Sequence, residues 1–280
     1  MPHAISLGVG EPDFDTPWHV RSEGIRSLEK GRTFYTSNSG LIELRQEICK
    51  WYQRKYNVLY DYKTEALLTV GGSEGIDVAL RAMLDPGDEV IIPEPCYVSY
   101  VPCVQLIGAV PVTIELKNEN QFRLTPEELL AAITDKTKIL ILAFPSNPTG
   151  AVMTKEDLEP IAKICQEKDI YVISDEIYSE LTYGGQKHCS ISSLPGMKER
   201  TIVINGFSKA YAMTGWRLGY ALAPEVIAHQ MTKIHQFAIM CAPTTSQYAA
   251  IEAIKNGDAD IEKMCKSYDQ RRRFLLKKFE

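Results

Sequence analysis

The chain has 280 residues, 45% of them hydrophobic, which is enough to bury a large core and sets intrinsic disorder aside. Lys and Arg number 31 against 36 Asp and Glu, a formal net charge of -5, and nothing resembles the basic stripe that a nucleic-acid binder needs to displace counterions. The single basic cluster, Arg271, Arg272 and Arg273 beside Lys277 and Lys278, reads as one solvated face of a helix.

Cys49, Cys96, Cys103, Cys165, Cys189, Cys241 and Cys265 are scattered without a C-x-x-C pair, and an odd number cannot all be bridged within one chain. A reducing, cytoplasmic setting is expected. The start of the chain lacks a basic region followed by an apolar run, and no later stretch is apolar for long enough to span a bilayer, so neither a membrane nor nucleic acid is an expected partner.

The first sixty or so residues show no alternation of strand and helix patterns and are expected to form a loop-rich arm, followed by a helix near Glu43 to Tyr56. From Leu67 onward, short Val- and Ile-rich runs alternate with helical patterns. The expected strands are Ala66 to Val70, Glu89 to Ile92, Val110 to Ile114, Lys138 to Ala143, Tyr171 to Ser174, Thr201 to Ile204 and Tyr220 to Ala223. Two crossover helices announce their starts: Thr125-Pro126-Glu127-Glu128 is a full capping sequence, and Thr154-Lys155-Glu156-Asp157 a weaker one. The expectation is an α/β fold with a mainly parallel, seven-stranded, doubly wound sheet flanked by helices. Near the end, Ile261, Met264, Cys265, Tyr268, Leu275 and Leu276 keep helical spacing up to Glu280 with no Gly or Pro stop, which suggests further chain beyond it.

Open parallel sheets bind ligands at the carboxyl ends of their strands, which directs attention to the residues just after each run. Gly71-Gly72-Ser73-Glu74-Gly75 opens a helix with small residues and free amides suited to a phosphate, though the same residues describe an ordinary turn. Pro145-Ser146-Asn147-Pro148-Thr149-Gly150 holds one amide side chain, Asn147, in a stiff loop; a surface turn has the same composition. Asp175 comes after a buried strand, where a carboxylate needs a partner such as a protonated ring nitrogen, or else caps the next helix. Lys209, at the sixth strand's exit, is a nucleophile if desolvated, and Arg217 is able to fork onto a phosphate; either residue alone also suits a solvated surface.

The ordered series Gly8-Val9-Gly10-Glu11-Pro12-Asp13, Tyr35, Gly72-Ser73-Glu74, Pro95-Cys96-Tyr97, Asn147-Pro148-Thr149-Gly150, Asp175-Glu176-Ile177-Tyr178 and Ser208-Lys209 followed by Arg217 resembles the class I and II aminotransferases of fold type I. The resemblance implies pyridoxal 5'-phosphate as cofactor and no metal. It implies that Lys209 forms the Schiff base and then moves the substrate's alpha proton, and that Asp175 keeps the pyridine nitrogen protonated. Tyr178 and Asn147 would bond the phenolic oxygen, and Tyr97 would stack on the ring. Ser208 and Arg217, with the backbone of Gly72, Ser73 and Glu74, would complete the cofactor site. Gly10 and Asn147 would meet the substrate, and Tyr35 would reach the phosphate of a neighbouring subunit in a homodimer.

On this reading residues 1–30 form an N-terminal arm or small-domain segment, residues 31–280 form the cofactor-binding large domain, and a C-terminal small domain with its substrate-carboxylate arginine is not visible. The chain alone is therefore expected to turn over weakly or not at all. One departure is Gly206, three residues before Lys209, where many relatives carry a serine whose hydroxyl meets the phosphate. The implied reaction is amino-group transfer between an amino acid and a 2-oxo acid. A carbon-sulfur lyase of the same fold and a non-catalytic cofactor-binding module are the alternatives.

Overall fold

The computed structural model describes residues 8–279. Among them the chain runs α1 (Trp18–Glu29), α2 (Ile42–Tyr56), β1 (Ala66–Thr69), α3 (Gly71–Met83), β2 (Glu89–Glu94), α4 (Tyr100–Leu106) and β3 (Val110–Glu115). It continues through α5 (Pro126–Ala132), β4 (Thr137–Ala143), α6 (Lys155–Glu167), β5 (Tyr171–Asp175), β6 (Thr201–Gly206) and β7 (Gly219–Leu222) to α7 (Glu225–Ile239), α8 (Thr244–Asn256) and α9 (Asp258–Phe279). All seven expected strands are present, with ends moved by a residue or two.

The strands make one sheet in the order β1-β7-β6-β5-β4-β2-β3. β2 through β6 pair in parallel, whereas β7 runs antiparallel to both β6 and β1. The reason is the connection: between β6 and β7 the chain makes only a short 3-10 turn at Thr214–Trp216, with no crossover helix to carry it back to the other end of the sheet.

Side chains alternate across the strands with period two. Leu67, Ile139, Ile141, Ile202 and Ile204 pack on one face with residues of α3, α4 and α7. Leu68 and Val203 pack on the other face with α2 and α8, and Leu140, Leu142 and Val172 pack there with α5 and α6. Both capping boxes form, Thr125 with Glu128 and Thr154 with Asp157, so the aspartate serves as well as the glutamate.

The expected loop-rich arm needs correction, because it contains α1. This helix has no side-chain cap and no acidic residue in its first turn, and its buried residues are Val20, Gly24 and Ser27. Two of its three buried residues, Gly24 and Ser27, are small and not apolar in the usual sense. The helix packs by close approach: a Cβ on Gly24 would lie 2.7 Å from the Trp216 ring. His19 pins α1 further, with Nδ1 2.8 Å from Glu252 Oε1 on α8 and Nε2 2.9 Å from Asp260 Oδ2 on α9. The basic cluster does lie along α9, where Arg272 and Arg273 pair with Asp269 and Arg271 reaches Asp13 at 2.7 Å. No helix among the described residues is long and apolar enough to cross a membrane.

Candidate active site

Because β7 is antiparallel, its first residue sits at the edge where its neighbours end: Gly219 is in register with Thr69 of β1 and Gly206 of β6. Arg217, two residues earlier, thereby arrives beside the start of α3. At this edge lies a cavity of about 640 Å³, onto which the loops following β1, β2, β4, β5 and β6 all open.

The wall made by α3 presents Gly72 and Ser73. The first amides of a helix have no acceptor within it and carry the positive end of its dipole. Gly71 has φ +73°, and a Cβ there would stand 2.6 Å from the Arg217 guanidinium, so only glycine permits the close approach. Arg217 itself is left-handed (φ 51°) and donates through Nη1 to the Thr214 carbonyl at 3.0 Å. Helix amides, an unshielded guanidinium and small residues together form a cup for an anion.

Across the cavity, Asp175 is buried at the end of β5. Burial pushes its carboxyl pKa up, while Tyr100 Oη, donating to Oδ2 at 2.8 Å, and the Ile177 N–H, donating to Oδ1 at 3.1 Å, pull it back. A buried carboxylate held in this way and facing an open cavity is suited to a cationic partner there. Tyr97 lines the same wall and meets Tyr100 edge to face, with ring centroids 5.7 Å apart. Tyr178 completes this side; burial raises its phenol pKa, and the nearby Asp175 and Tyr97 raise it further.

Lys209 closes the floor. Its Nζ donates to the Gly10 carbonyl at 2.6 Å and lies 5.8 Å from the centroid of the Tyr178 ring. Burial lowers its pKa from the ordinary 10.5 and Arg217 adds to this, against the pull of Glu11 and Tyr97, so the amine is readier to act as a nucleophile. Asn147 and Ser208 also line the cavity. A second hollow of about 630 Å³ shares Lys209, Tyr178 and Gly10 with the first and extends toward Arg272 on α9.

The fold thus gathers Gly10, Gly72, Ser73, Tyr97, Asn147, Asp175, Tyr178, Ser208, Lys209 and Arg217 around one space. Two candidates are not part of it. The Glu74 side chain turns away, accepting from the Val70 N–H and lying 2.7 Å from His235 Nδ1, so only its backbone remains at the helix start. Tyr35 is 79% exposed, outside the cavity of its own chain. At Gly206 a Cβ would come within 2.9 Å of Gly219 Cα and 3.0 Å of the Leu218 carbonyl, so the β6–β7 pairing leaves no room for a serine.

Sequence reasoning missed Tyr100 and Glu11. Tyr100 lies three residues after Tyr97, a spacing that places both on one side of a helical turn; Glu11, which accepts from Thr214 Oγ1 at 2.9 Å, stood inside the Gly8-to-Asp13 segment without being given a role. Among the described residues no group of three or more His, Cys, Asp or Glu is placed to hold a metal ion.

Residues 2–280 match the family model described as aminotransferase class I and II. The Bacillus subtilis (strain 168) protein YugH is 51% identical over 276 residues, which cover 99% of this chain and 71% of that one. An aspartate aminotransferase of Pyrococcus abyssi is 45% identical over 99% of this chain and 72% of its own length. The crystal structure of an aromatic aminotransferase from Pyrococcus horikoshii OT3 superposes with a TM-score of 0.95 at 46% identity, covering 98% of this chain and 74% of that chain.

Proposed function

The chain belongs to the class I and II aminotransferases, pyridoxal-phosphate enzymes that move an amino group between an amino acid and a 2-oxo acid, and we propose that the cavity around Lys209 is where it does so. The observation that carries this reading is the facing pair of features in one space: a half-buried amine with a lowered pKa, and a buried carboxylate across from an anion cup. The residues fit the cofactor. The cup of α3 amides and Arg217, which a Cβ at Gly71 would fill, suits a phosphate, and Asp175 suits a protonated pyridine nitrogen.

When bound, pyridoxal phosphate supplies an electron-withdrawing ring that stabilises negative charge on the substrate's alpha carbon. In this role Asp175, held by Tyr100, would keep the ring nitrogen protonated. Tyr97 would cover a ring face, Tyr178 and Asn147 would hydrogen-bond the phenolic oxygen, and Ser208, Arg217 and the amides of Gly72, Ser73 and Glu74 would hold the phosphate. Lys209 would be the residue that holds the cofactor covalently through Nζ and, as a free amine, the base that carries the substrate's alpha proton. Gly10, which now accepts from Nζ, and Asn147 border the space left for substrate.

Residues 31–280 are the cofactor-binding unit in this reading, with residues 1–30 as an arm. The exposure of Phe34 (81%) and Tyr35 (79%) supports a homodimer in which Tyr35 serves the neighbouring site. The seven free cysteines support a reducing, cytoplasmic location.

Borohydride reduction of the cofactor-loaded protein, followed by peptide mapping, tests the central assignment. The label is expected on Lys209 and is expected to vanish in Lys209→Ala; a reducible attachment at another lysine would show the assignment to be wrong. A panel of amino donors, assayed for one 2-oxo acid per site against released ammonia, separates transfer from elimination.

A further inference from the structure

Behind the anion cup lies a buried hydrogen-bonded pair that the chemistry above does not use. His235, on α7, is completely buried, with Nδ1 2.7 Å from Glu74 Oε1. A carboxylate oxygen only accepts, so Nδ1 carries the proton of this bond. The other carboxylate oxygen of Glu74 accepts from the Val70 N–H, the amide just ahead of α3. Neither Glu74 nor His235 lines the cavity.

Glu74 is the fourth residue of α3, and a glutamate in the first turn of a helix naturally folds back onto the free amides there. Gly72 and Ser73, whose amides are among these, line the cavity. A carboxylate free to swing onto them would both occupy donors and set a negative charge against an incoming phosphate. His235 removes that freedom. One oxygen is held by the imidazole, the other is taken up by the Val70 N–H, and the carboxylate stays out of the cavity lining.

We propose that His235 is a positioning residue for the cofactor's phosphate group, acting through Glu74 to leave the α3 amides open and unopposed. The proposal rests on the reading of this cavity as the pyridoxal-phosphate site. Its signature is selectivity: the effect belongs to the phosphate and not to the ring.

Titrating apo-protein with pyridoxal phosphate and with pyridoxal, monitored by tryptophan fluorescence, tests it. For His235→Leu, the dissociation constant for pyridoxal phosphate is expected to rise about tenfold, with that for pyridoxal kept within about twofold. His235→Asn, whose amide N–H stands where Nδ1–H stood, is expected to restore binding to within about threefold of the unmodified protein. Equal losses for both compounds, or no loss for either, would overturn the proposal, because a merely structural histidine cannot tell them apart. If His235→Leu does not fold, Glu74→Gln decides: with the charge gone and a capping oxygen kept, the preference for the phosphorylated compound should hold or increase, and a weakened preference overturns the inference. Failure of the unmodified protein to bind pyridoxal phosphate would instead overturn the reading of the cavity itself.

Discussion

Tyr100 Oη stands 2.8 Å from Asp175 Oδ2 and donates to it from a side chain that is itself buried. Burial raises the Asp175 pKa from 3.8, and this bond, with the Ile177 N–H, favours the ionised form that a ring nitrogen needs. Tyr100→Phe removes one of the two donors and is expected to lower kcat/KM about tenfold, the cost of a lost hydrogen bond to a charged group. The loss has a definite pH signature. A further rise in the Asp175 pKa moves the acid limb of the kcat profile to higher pH, and an unmoved limb would argue against the role. The linked stability runs the same way: folded Asp175 holds its proton above pH 3.8 where the unfolded chain has lost it, so its contribution declines as pH rises through that window, and the variant extends the window upward.

Lys209 gives a second pH dependence, of opposite charge type. Burial lowers its pKa from 10.5 and Glu11 partly restores it, so the neutral, reactive amine gains population as pH rises through a value below 10.5. Glu11→Gln removes the restoring charge and is expected to shift the midpoint of the cofactor-attachment rate to lower pH. Rapid mixing with pyridoxal phosphate across a pH series measures it; a shift to higher pH would contradict the electrostatic account.

The tight crossing of β6 and β7 predicts intolerance at Gly206. The atoms that a Cβ would meet, Gly219 Cα at 2.9 Å and the Leu218 carbonyl at 3.0 Å, are backbone and cannot rotate aside. Gly206→Ser is expected to destabilise the fold by about 1–3 kcal/mol, the usual effect of overpacking. A chemical denaturation midpoint equal to that of the unmodified protein would show that the strands separate more easily than this packing implies.

His19 predicts a pH-dependent anchor for α1. Burial pulls its pKa down, but the hydrogen bonds and charges of Asp260 and Glu252 outweigh it, and the net value rises above 6.5. A raised folded pKa contributes stability that is fully present below pH 6.5 and fades as pH rises through the folded value. Hydrogen exchange in Trp18–Glu29 should therefore quicken on the alkaline side of that value, and His19→Gln should flatten the dependence. An exchange profile that does not respond to the substitution would count against the clamp.

The resemblance to the aminotransferases was legible because its residues lie in short, ordered segments at the ends of strands, and the strands themselves show as branched apolar runs. Lys209, Asp175 and Asn147 each had a bland local reading, and their order along the chain made the pattern. What local pattern could not show was anything that depended on approach between distant segments. Helix α1 escaped because Gly24 and Ser27 bury by smallness and not by hydrophobicity.

Sequence by itself determined the seven strands, the capped crossover helices, the cofactor family and the set of strand-end residues, since these depend on local pattern and on the order of short segments along the chain. Tertiary structure decided the antiparallel placement of β7 that brings Arg217 to the cup, the support of Asp175 by Tyr100, the turning of Glu74 toward His235 and the exclusion of a side chain at Gly206. Each of these is a distance between residues well separated along the chain, or a steric contact across two strands. Such distances are set by packing among elements, and no periodicity within one element encodes them.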